Sequence, residues 1–547
     1  MFSSAPPRRS SVAWLEPGRR RRRGRDGIPW RAALVVVLVL AAAGGAAWFV
    51  INRNHKADMR RDAAQGFASA WARGDERAMW NTLDKRSRTA YPLARFRKLY
   101  RSADDAATVT AVRVGRLTGP QHGAFAVPVA VATRDFGTLR GTVQLPVHDE
   151  DSGARVAWTP HLRLPGLRAG EEVRRRVLVR PQRAPVLGAD GRRLDTDPAT
   201  AAIAGHVPSG SDKGSGLERM FDARLAGRPG AELRYGSRLI VRVKRKRGRS
   251  VHATIRPGLQ RAAAAALGGK LGGVAVVRPR DGAVLALAGL AVSAPQPPGS
   301  TFKIITVSGA LQAKIATPSS SYPVRTFAVL SGVKLRNASN ESCGGTLTQA
   351  FIDSCNSVFA PLGARLGATK LVRMAEAFGF NERPRVPEAK PSTIPQPRQL
   401  KDSLAVGASA IGQDRDLATP LQMAVAGATI AERGRRARPR IVTSDKVLRR
   451  RVMSTRVAAQ VREMMLGVVR SGTGTAAAIP GVQVAGKTGT AELRPNSTNP
   501  KDADAWFVAF APASNPQVAV GVMLVGAGFG GKAAAPIARR VLQAALR

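Results

Sequence analysis

Pro298-Gly299-Ser300-Thr301-Phe302-Lys303 is the stretch on which the reading of this chain turns. It opens a helix with a serine at its start and a lysine one turn later. Residues i and i+3 share a helix face, so the Ser300 hydroxyl and the Lys303 amine can meet at the floor of a cleft. A nucleophile and a base then come from four residues. Alone, Ser-x-x-Lys is a common pattern, and its meaning depends on the sequence around it.

The histidines supply the first constraint. All six (His55, His122, His148, His161, His206 and His252) precede Ser300. A compact catalytic domain over residues 256–547 therefore cannot draw a Ser-His-Asp triad from its own chain. Lysine is the usual substitute base for a serine nucleophile. The same distribution argues against a histidine-ligated zinc site, and the reading calls for no metal and no cofactor.

At 547 residues the chain has room for two to four domains. Its 86 Lys and Arg against 37 Asp and Glu give a formal net charge of +49, which raises nucleic acid as a partner. Arginine far outnumbers lysine, and aromatics are only 5% of the chain, so no base-stacking platform is evident. The charge fits a solvated basic surface with some attraction to anionic polymers or headgroups, and nucleic acid is excluded as a partner.

Residues 32–51 form an uncharged apolar run. At about 1.5 Å per residue it reaches roughly 30 Å, the thickness of a bilayer core. The arginine cluster Arg19 to Arg23, with Arg25 and Arg31, precedes it. By the positive-inside rule the N-terminus stays cytoplasmic and everything after Asn52 is translocated. A cleaved signal peptide is the alternative, with small residues at Ala41 to Ala47. Apolar Trp48 to Ile51 follow where a signal peptide would turn polar, which favours an uncleaved single-pass anchor in a cell membrane. Outside the membrane the two cysteines, Cys343 and Cys355, are free to pair, and either a disulfide or two thiols fits the sequence.

The expected architecture is multidomain α+β. Residues 1–31 are a basic tail. Residues 55–167 form a small domain, helical over 57–105 and then alternating as strands (Phe125-Val127-Val129-Val131, Val143-Leu145-Val147). Pro128 and Pro146 place these strands at an edge or a bulge. Residues 172–255 read as an extended, arginine-rich platform. From Pro257 a helix leads into a hairpin turning at Asp281-Gly282, and strands near 506–511 and 518–525 precede a terminal helix, 533–546. Helices bracket an antiparallel sheet assembled from distant parts of residues 256–547.

Two nucleotide motifs are formal matches only. Gly481 to Thr488 reads G-x-x-x-x-G-K-T, yet Val482 and Val484 alternate like a strand and no helix start follows the lysine. Gly526 to Gly531 fits G-x-G-x-x-G, but the chain ends before a second strand carrying an acidic residue could follow. The glycines serve a tight strand-to-helix turn.

Without the phosphate assumption, the first decoy becomes Lys487-Thr488-Gly489-Thr490 on an edge strand. Ser354-Cys355-Asn356 lies between it and Ser300, after a short helix over 347–353. In order, S-x-x-K, S-x-N and K-T-G resemble the signature of penicillin-binding proteins and serine β-lactamases. The resemblance implies that Ser300 attacks a peptide carbonyl while a neutral Lys303 takes its proton. Burial and a neighbouring cation, Lys487, would lower the Lys303 pKa. Ser354 would relay the proton to the leaving amine and Asn356 would hold Lys303 and the substrate amide. Lys487, Thr488 and Thr490 would bind a terminal carboxylate, Gly489 would let the strand approach the substrate, and Ser300 and Thr490 N–H groups would form the oxyanion hole.

Beyond the site the chain resembles class B, monofunctional penicillin-binding proteins. Arg183-Ala184-Pro185-Val186 with Asp190-Gly191, and Gly216-Leu217-Glu218 to Leu225-Ala226-Gly227, look like landmarks of the family's pedestal, here 172–255. Ile411-Gly412-Gln413, Thr419-Pro420-Leu421-Gln422 and Ala505-Trp506-Phe507 look like transpeptidase landmarks. Residues 55–167, with Trp158-Thr159-Pro160, look like the nuclear-transport-factor-like extension of mec-type members. The resemblance implies a peptidoglycan D,D-transpeptidase that binds β-lactams covalently and works beside a polytopic glycan polymerase. A D,D-carboxypeptidase or β-lactamase, or a non-catalytic cell-wall scaffold, are the alternatives.

Overall fold

The structure, a computed structural model, describes residues 30–179, 181–494 and 499–547. Nearly all of the expected basic tail lies outside them. Trp30–Arg73 is one helix of 44 residues, and its side chains are described only from Trp48 onward, so most of the expected 32–51 span lies outside the described side chains. Among the described residues no helix is long and apolar enough to cross a membrane.

The chain divides into two compact units. The first holds residues up to Leu178 together with Ala231–Lys244. Helices Glu76–Asn81, Lys85–Ala90 and Leu93–Ala107 follow the long helix, and each of the two short ones is capped by an aspartate, Asp75 or Asp84, that accepts from a first-turn N–H. Their buried faces meet around Trp158, whose ring lies 4.7 Å from that of Phe96 and 5.1 Å from that of Tyr91. The five-stranded antiparallel sheet beneath buries Phe125, Val127, Val129 and Val131 on one face, as period-two alternation requires.

Pro128 corrects the edge-strand expectation. Strand Ala124–Thr133 is central, paired along one side by Gly137–Glu150 and along the other by Val109–Val114 and Thr118–Gln121. Pairing to Val109–Val114 ends at Val129 and pairing to Thr118–Gln121 begins at Ala126. Pro128 occupies the gap between these two partners, where its missing N–H breaks no ladder and its carbonyl still accepts from Gly115 N–H.

Residues 172–255 are shared between the units. Strands Val173–Val179, Gly230–Tyr235 and Arg238–Val243 form a three-stranded sheet, and Leu233 and Tyr235 are fully buried in the first unit's core. Burial takes these two apolar side chains inward while Lys244 to Arg247 stay exposed. In the second unit Arg183 ties the two sequence landmarks together, donating to Glu218 Oε2 at 2.8 Å and Asp222 Oδ1 at 2.7 Å.

The rest of the second unit is built on one antiparallel sheet. Its parts, in chain order, are α1 (Pro257–Leu267), β1 (Gly272–Val277), β2 (Val284–Gly289), α2 (Lys303–Gln312), α3 (Leu347–Ile352), α4 (Asn356–Leu366), α5 (Pro420–Ala431), α6 (Thr455–Arg470), β3 (Ala485–Glu492), β4 (Ala503–Ala511), β5 (Val518–Leu524) and α7 (Gly530–Leu546). The strand order is β2-β1-β5-β4-β3, so the two chain-distant hairpins join through β1 and β5. Alternation along β4 feeds two cores. Trp506, Val508 and Phe510 face the layer that contains α5, whereas Phe507 and Ala509 face the layer that contains α1 and α7. Both nucleotide decoys resolve as expected, since Lys487 lies within β3 and Gly526 to Gly531 turns β5 into α7. The sheet leaves β3 at an edge, with the turn at Gly299–Phe302 alongside.

Candidate active site

Ser300 sits in a 3₁₀ turn, Gly299–Phe302, that runs directly into α2 at Lys303. In a 3₁₀ turn side chains at i and i+3 eclipse, which aligns the half-exposed serine with the lysine more closely than an α-helix would. Gly299 permits the approach. Its φ is +52°, and a Cβ there would fall 2.5 Å from the carbonyl oxygen of Thr490 on β3. The turn is held from behind by Gly299 N–H donating to Gly412 O at 2.9 Å, through the Ile411-Gly412-Gln413 landmark.

The two lysines are wholly buried yet bonded differently. Lys303 Nζ donates to Ser354 O at 2.6 Å and Asn356 Oδ1 at 2.7 Å, with Ser354 Oγ further off at 3.4 Å. Two good acceptors suit the two N–H bonds of a neutral amine and leave its lone pair free. Lys487 Nζ donates to Ser354 Oγ at 2.8 Å, Thr488 O at 3.2 Å and Thr488 Oγ1 at 3.5 Å. Burial holds Lys303 well below the ordinary lysine range, and the Lys487 charge pushes it the same way. Burial also pulls Lys487 down, to about 7, against the opposing pull of the Asp353 carboxylate. Phe359 and Phe351 each present a ring face 5.5 Å from one lysine nitrogen, Lys303 and Lys487 respectively.

Ser354 adopts φ +68°, rare for a residue with a side chain. It stands between α3 and α4, its carbonyl accepting from Lys303 and its hydroxyl oxygen accepting from Lys487. Cys355, the middle residue of Ser-x-Asn, is disulfide-bonded to Cys343, and of the two pairings left open by the sequence the bonded one is formed. Asn356 Nδ2 donates to Arg336 O at 2.8 Å, which leaves its Oδ1 facing Lys303.

The structure thus brings together Lys303, Ser354, Asn356 and Lys487, and Ser300 is not among the hydrogen-bond partners of Lys303. Thr490 is half-buried on β3, and Thr488 is buried with its hydroxyl 2.6 Å from that of Thr473. Gly489 has a packing role that the sequence did not show. A Cβ there would lie 2.8 Å from Pro298 O and 2.9 Å from both Thr301 Cγ2 and Trp506 Cβ, so the glycine lets β3 pack against the Ser300 turn itself. Gly530 repeats this from the other side, since its Cβ would come within 2.3 Å of Gly489 O. Sequence reasoning missed Phe351, Phe359, Asp353 and Arg336, which act on the motif residues through a ring face, a field or a carbonyl that no motif spacing encodes.

The transpeptidase-domain family, described as the penicillin-binding protein transpeptidase domain, matches residues 272–543. Peptidoglycan D,D-transpeptidase PbpA of Mycolicibacterium smegmatis is 36% identical over 434 residues, spanning 66% of this chain and 86% of that protein. PbpA of Mycobacterium tuberculosis is 40% identical over 287 residues, spanning 47% of this chain and 56% of that one. Among solved structures, the penicillin G acyl-enzyme complex of Mycobacterium tuberculosis penicillin-binding protein A superposes with a TM-score of 0.58 at 30% identity, covering 67% of this chain and all of that one. The chain belongs to the class B penicillin-binding protein transpeptidases.

Proposed function

We propose that this chain is a peptidoglycan D,D-transpeptidase in which Ser300 forms an acyl-enzyme from the D-Ala-D-Ala end of a stem peptide and passes it to a neighbouring amine. The observation that carries the reading is the buried pair: a Lys303 whose two N–H bonds are already engaged and a charged Lys487 that fixes Ser354. The lone pair of Lys303 takes the proton of Ser300 as its oxygen attacks the penultimate carbonyl. Backbone N–H groups of Ser300 and Thr490 receive the developing oxyanion, a contribution of about 10²–10³ in rate per donor in comparable sites. Ser354, receiving a hydrogen bond from Lys487, carries the proton on to the departing D-alanine nitrogen, and the acceptor amine then retraces the path. Asn356 orients Lys303 and the substrate amide, while Lys487, Thr488 and Thr490 hold the terminal carboxylate. Gly489 keeps β3 within reach of the turn.

The other expectations belong to the same proposal. Residues 55–167 serve as the nuclear-transport-factor-like extension, supported by helices followed by a five-stranded antiparallel sheet. The 172–255 stretch serves as the pedestal, supported by the Arg183 pairing with Glu218 and Asp222. Residues 32–51 anchor the chain as a single pass, and a polytopic glycan polymerase supplies the glycan strands.

A fluorescent penicillin, followed by a D-Ala-D-Ala stem-peptide substrate with an added acceptor amine, tests the reading on the full chain. Wild type takes up the label stably, Ser300→Ala takes up none, and the stem peptide yields the amide-linked product in excess over the hydrolysed one. Label that survives Ser300→Ala removes the nucleophile. Rapid turnover of the penicillin means a β-lactamase, and hydrolysis alone of the stem peptide means a carboxypeptidase.

A further inference from the structure

Ser471-Gly472-Thr473-Gly474 follows α6 and has no role in the three motifs, yet it ends beside the third of them. Gly472 is pressed onto the end of α3: a Cβ there would lie 2.6 Å from Ile352 Cγ2 and 2.8 Å from Ile352 O, two residues before Ser354. Gly474 is pressed onto β4, where a Cβ would lie 3.1 Å from Phe507 Cε2, and Phe507 is the residue paired with Thr488 across the sheet. Gly531, at the start of α7, leaves no room for a side chain against Thr473 O, 2.3 Å from where its Cβ would stand. The Thr473 backbone is therefore fixed from three sides, by the element that carries Ser354, by the strand behind Thr488 and by the terminal helix.

Its side chain has one partner. Thr473 Oγ1 lies 2.6 Å from Thr488 Oγ1, and Thr488 Oγ1 also faces the Lys487 ammonium at 3.5 Å. Thr488 is buried whereas Thr473 is exposed. Two hydroxyls that share one hydrogen bond keep one O–H for a further acceptor. With Thr473 donating in the shared bond, the remaining O–H is that of Thr488, polarised by its neighbour and 3.5 Å from the Lys487 nitrogen. An ammonium and a polarised hydroxyl side by side match a carboxylate, whose oxygens accept from both.

We propose that Thr473 is a positioning residue for the terminal carboxylate of the acyl donor, acting through the hydroxyl of Thr488. The inference rests on the transpeptidase reading and deepens it by adding a specificity determinant outside the three motifs. Thr473 sets the direction of the Thr488 hydroxyl, so it governs how well a donor with a free carboxylate is held for attack by Ser300, and it is silent for a donor without one.

The test compares Thr473→Val and Thr473→Ser with wild type in the full chain. The readouts are second-order rate constants for acylation of Ser300 by penicillin G and by its methyl ester, which lacks the carboxylate charge. Thr473→Val is expected to slow acylation by penicillin G about tenfold, the weight of one hydrogen bond, through a weaker encounter constant rather than a slower bond-forming step. It should change the ester rate by less than about twofold, and Thr473→Ser should restore the penicillin G rate. Equal losses with both compounds, no loss with either, or a serine variant no better than valine each overturn the proposal while leaving the acyltransferase reading in place. A wild-type chain that takes up no penicillin at all overturns both. Thermal melting of each variant accompanies the rates, and Thr473→Ala, with the same expected loss for penicillin G and none for the ester, carries the test should valine unfold the loop.

Discussion

Asn356 offers the sharpest probe of the site because its two ends are committed: Nδ2 donates to Arg336 O at 2.8 Å and Oδ1 receives Lys303 at 2.7 Å. Asn356→Ala removes one of the two acceptors that fix the amine. A buried N–H left without a partner costs about 1–3 kcal/mol, so acylation should fall roughly 5- to 150-fold with its pH dependence unchanged in shape. Asn356→Asp keeps the shape and adds a negative charge at nearly the same place. At 2.7 Å and an effective dielectric near 20, Coulomb's law gives about 6 kcal/mol in favour of the ammonium form, opposed in part by the cost of burying the carboxylate. The Lys303 pKa therefore rises, the base is protonated at pH 7, and the rate falls by at least about 10² there. It should then climb as the pH is raised, up to tenfold per unit, because a base is recovered by removing its proton. Fluorescent-penicillin acylation from pH 6 to 10 for wild type and both variants is the assay, with melting curves to confirm folding. An aspartate variant as fast as wild type at pH 7, or as insensitive to pH as the alanine variant, would refute the neutral-amine assignment.

Gly489→Ala tests the packing account of β3. Three contacts of 2.8–2.9 Å must open, an overpacking cost of about 1–3 kcal/mol, and the strand is driven off the Ser300 turn, so acylation should fall about 10- to 100-fold. Gly258→Ala in α1, where a Cβ meets nothing within 4 Å, is the matched control and should leave the rate untouched; equal effects of the two would show that the close approach does not matter. Asp416 bears on stability. It is wholly buried, and burial raises its pKa well above the ordinary range against the smaller, opposing pull of the Ser409 hydroxyl. A carboxyl whose folded pKa is raised favours folding fully below its unfolded pKa and loses that contribution as pH climbs through the folded value. Asp416→Asn should therefore melt higher than wild type at pH 8 and show no such advantage at pH 4; an unchanged difference across that range would mean the carboxyl is ionised in the fold.

Much of this molecule was legible along the chain, because the relevant information is local. Period-two alternation in Trp506-Phe507-Val508 already assigns the faces of β4, and the structure sends them to two separate cores. The turn at Asp281-Gly282, the short helix before Ser354 and the strand through Lys487 follow from residue types a few positions apart. Pro128 was misjudged because sequence cannot show that two short strands share one side of Ala124–Thr133 and leave a gap opposite the proline. That residues 172–255 divide between the two units was not legible in the sequence, because the burial of Leu233 and Tyr235 depends on a core built from earlier residues.

The sequence by itself determined which chemistry was possible: Ser300 and Lys303 one turn apart, no histidine behind them, and two further motifs in the right order. What that chemistry requires was decided only by tertiary structure. Lys303 meets Asn356 across 53 positions and Lys487 meets Ser354 across 133, and it is this packing that buries both amines and sets one beside the other. Protonation state depends on burial and on charges brought near by packing, neither of which is a property of neighbouring residues in the chain. The same holds for Gly489 and Thr473, whose roles appear only when the Ser300 turn, β4 and α7 close around them.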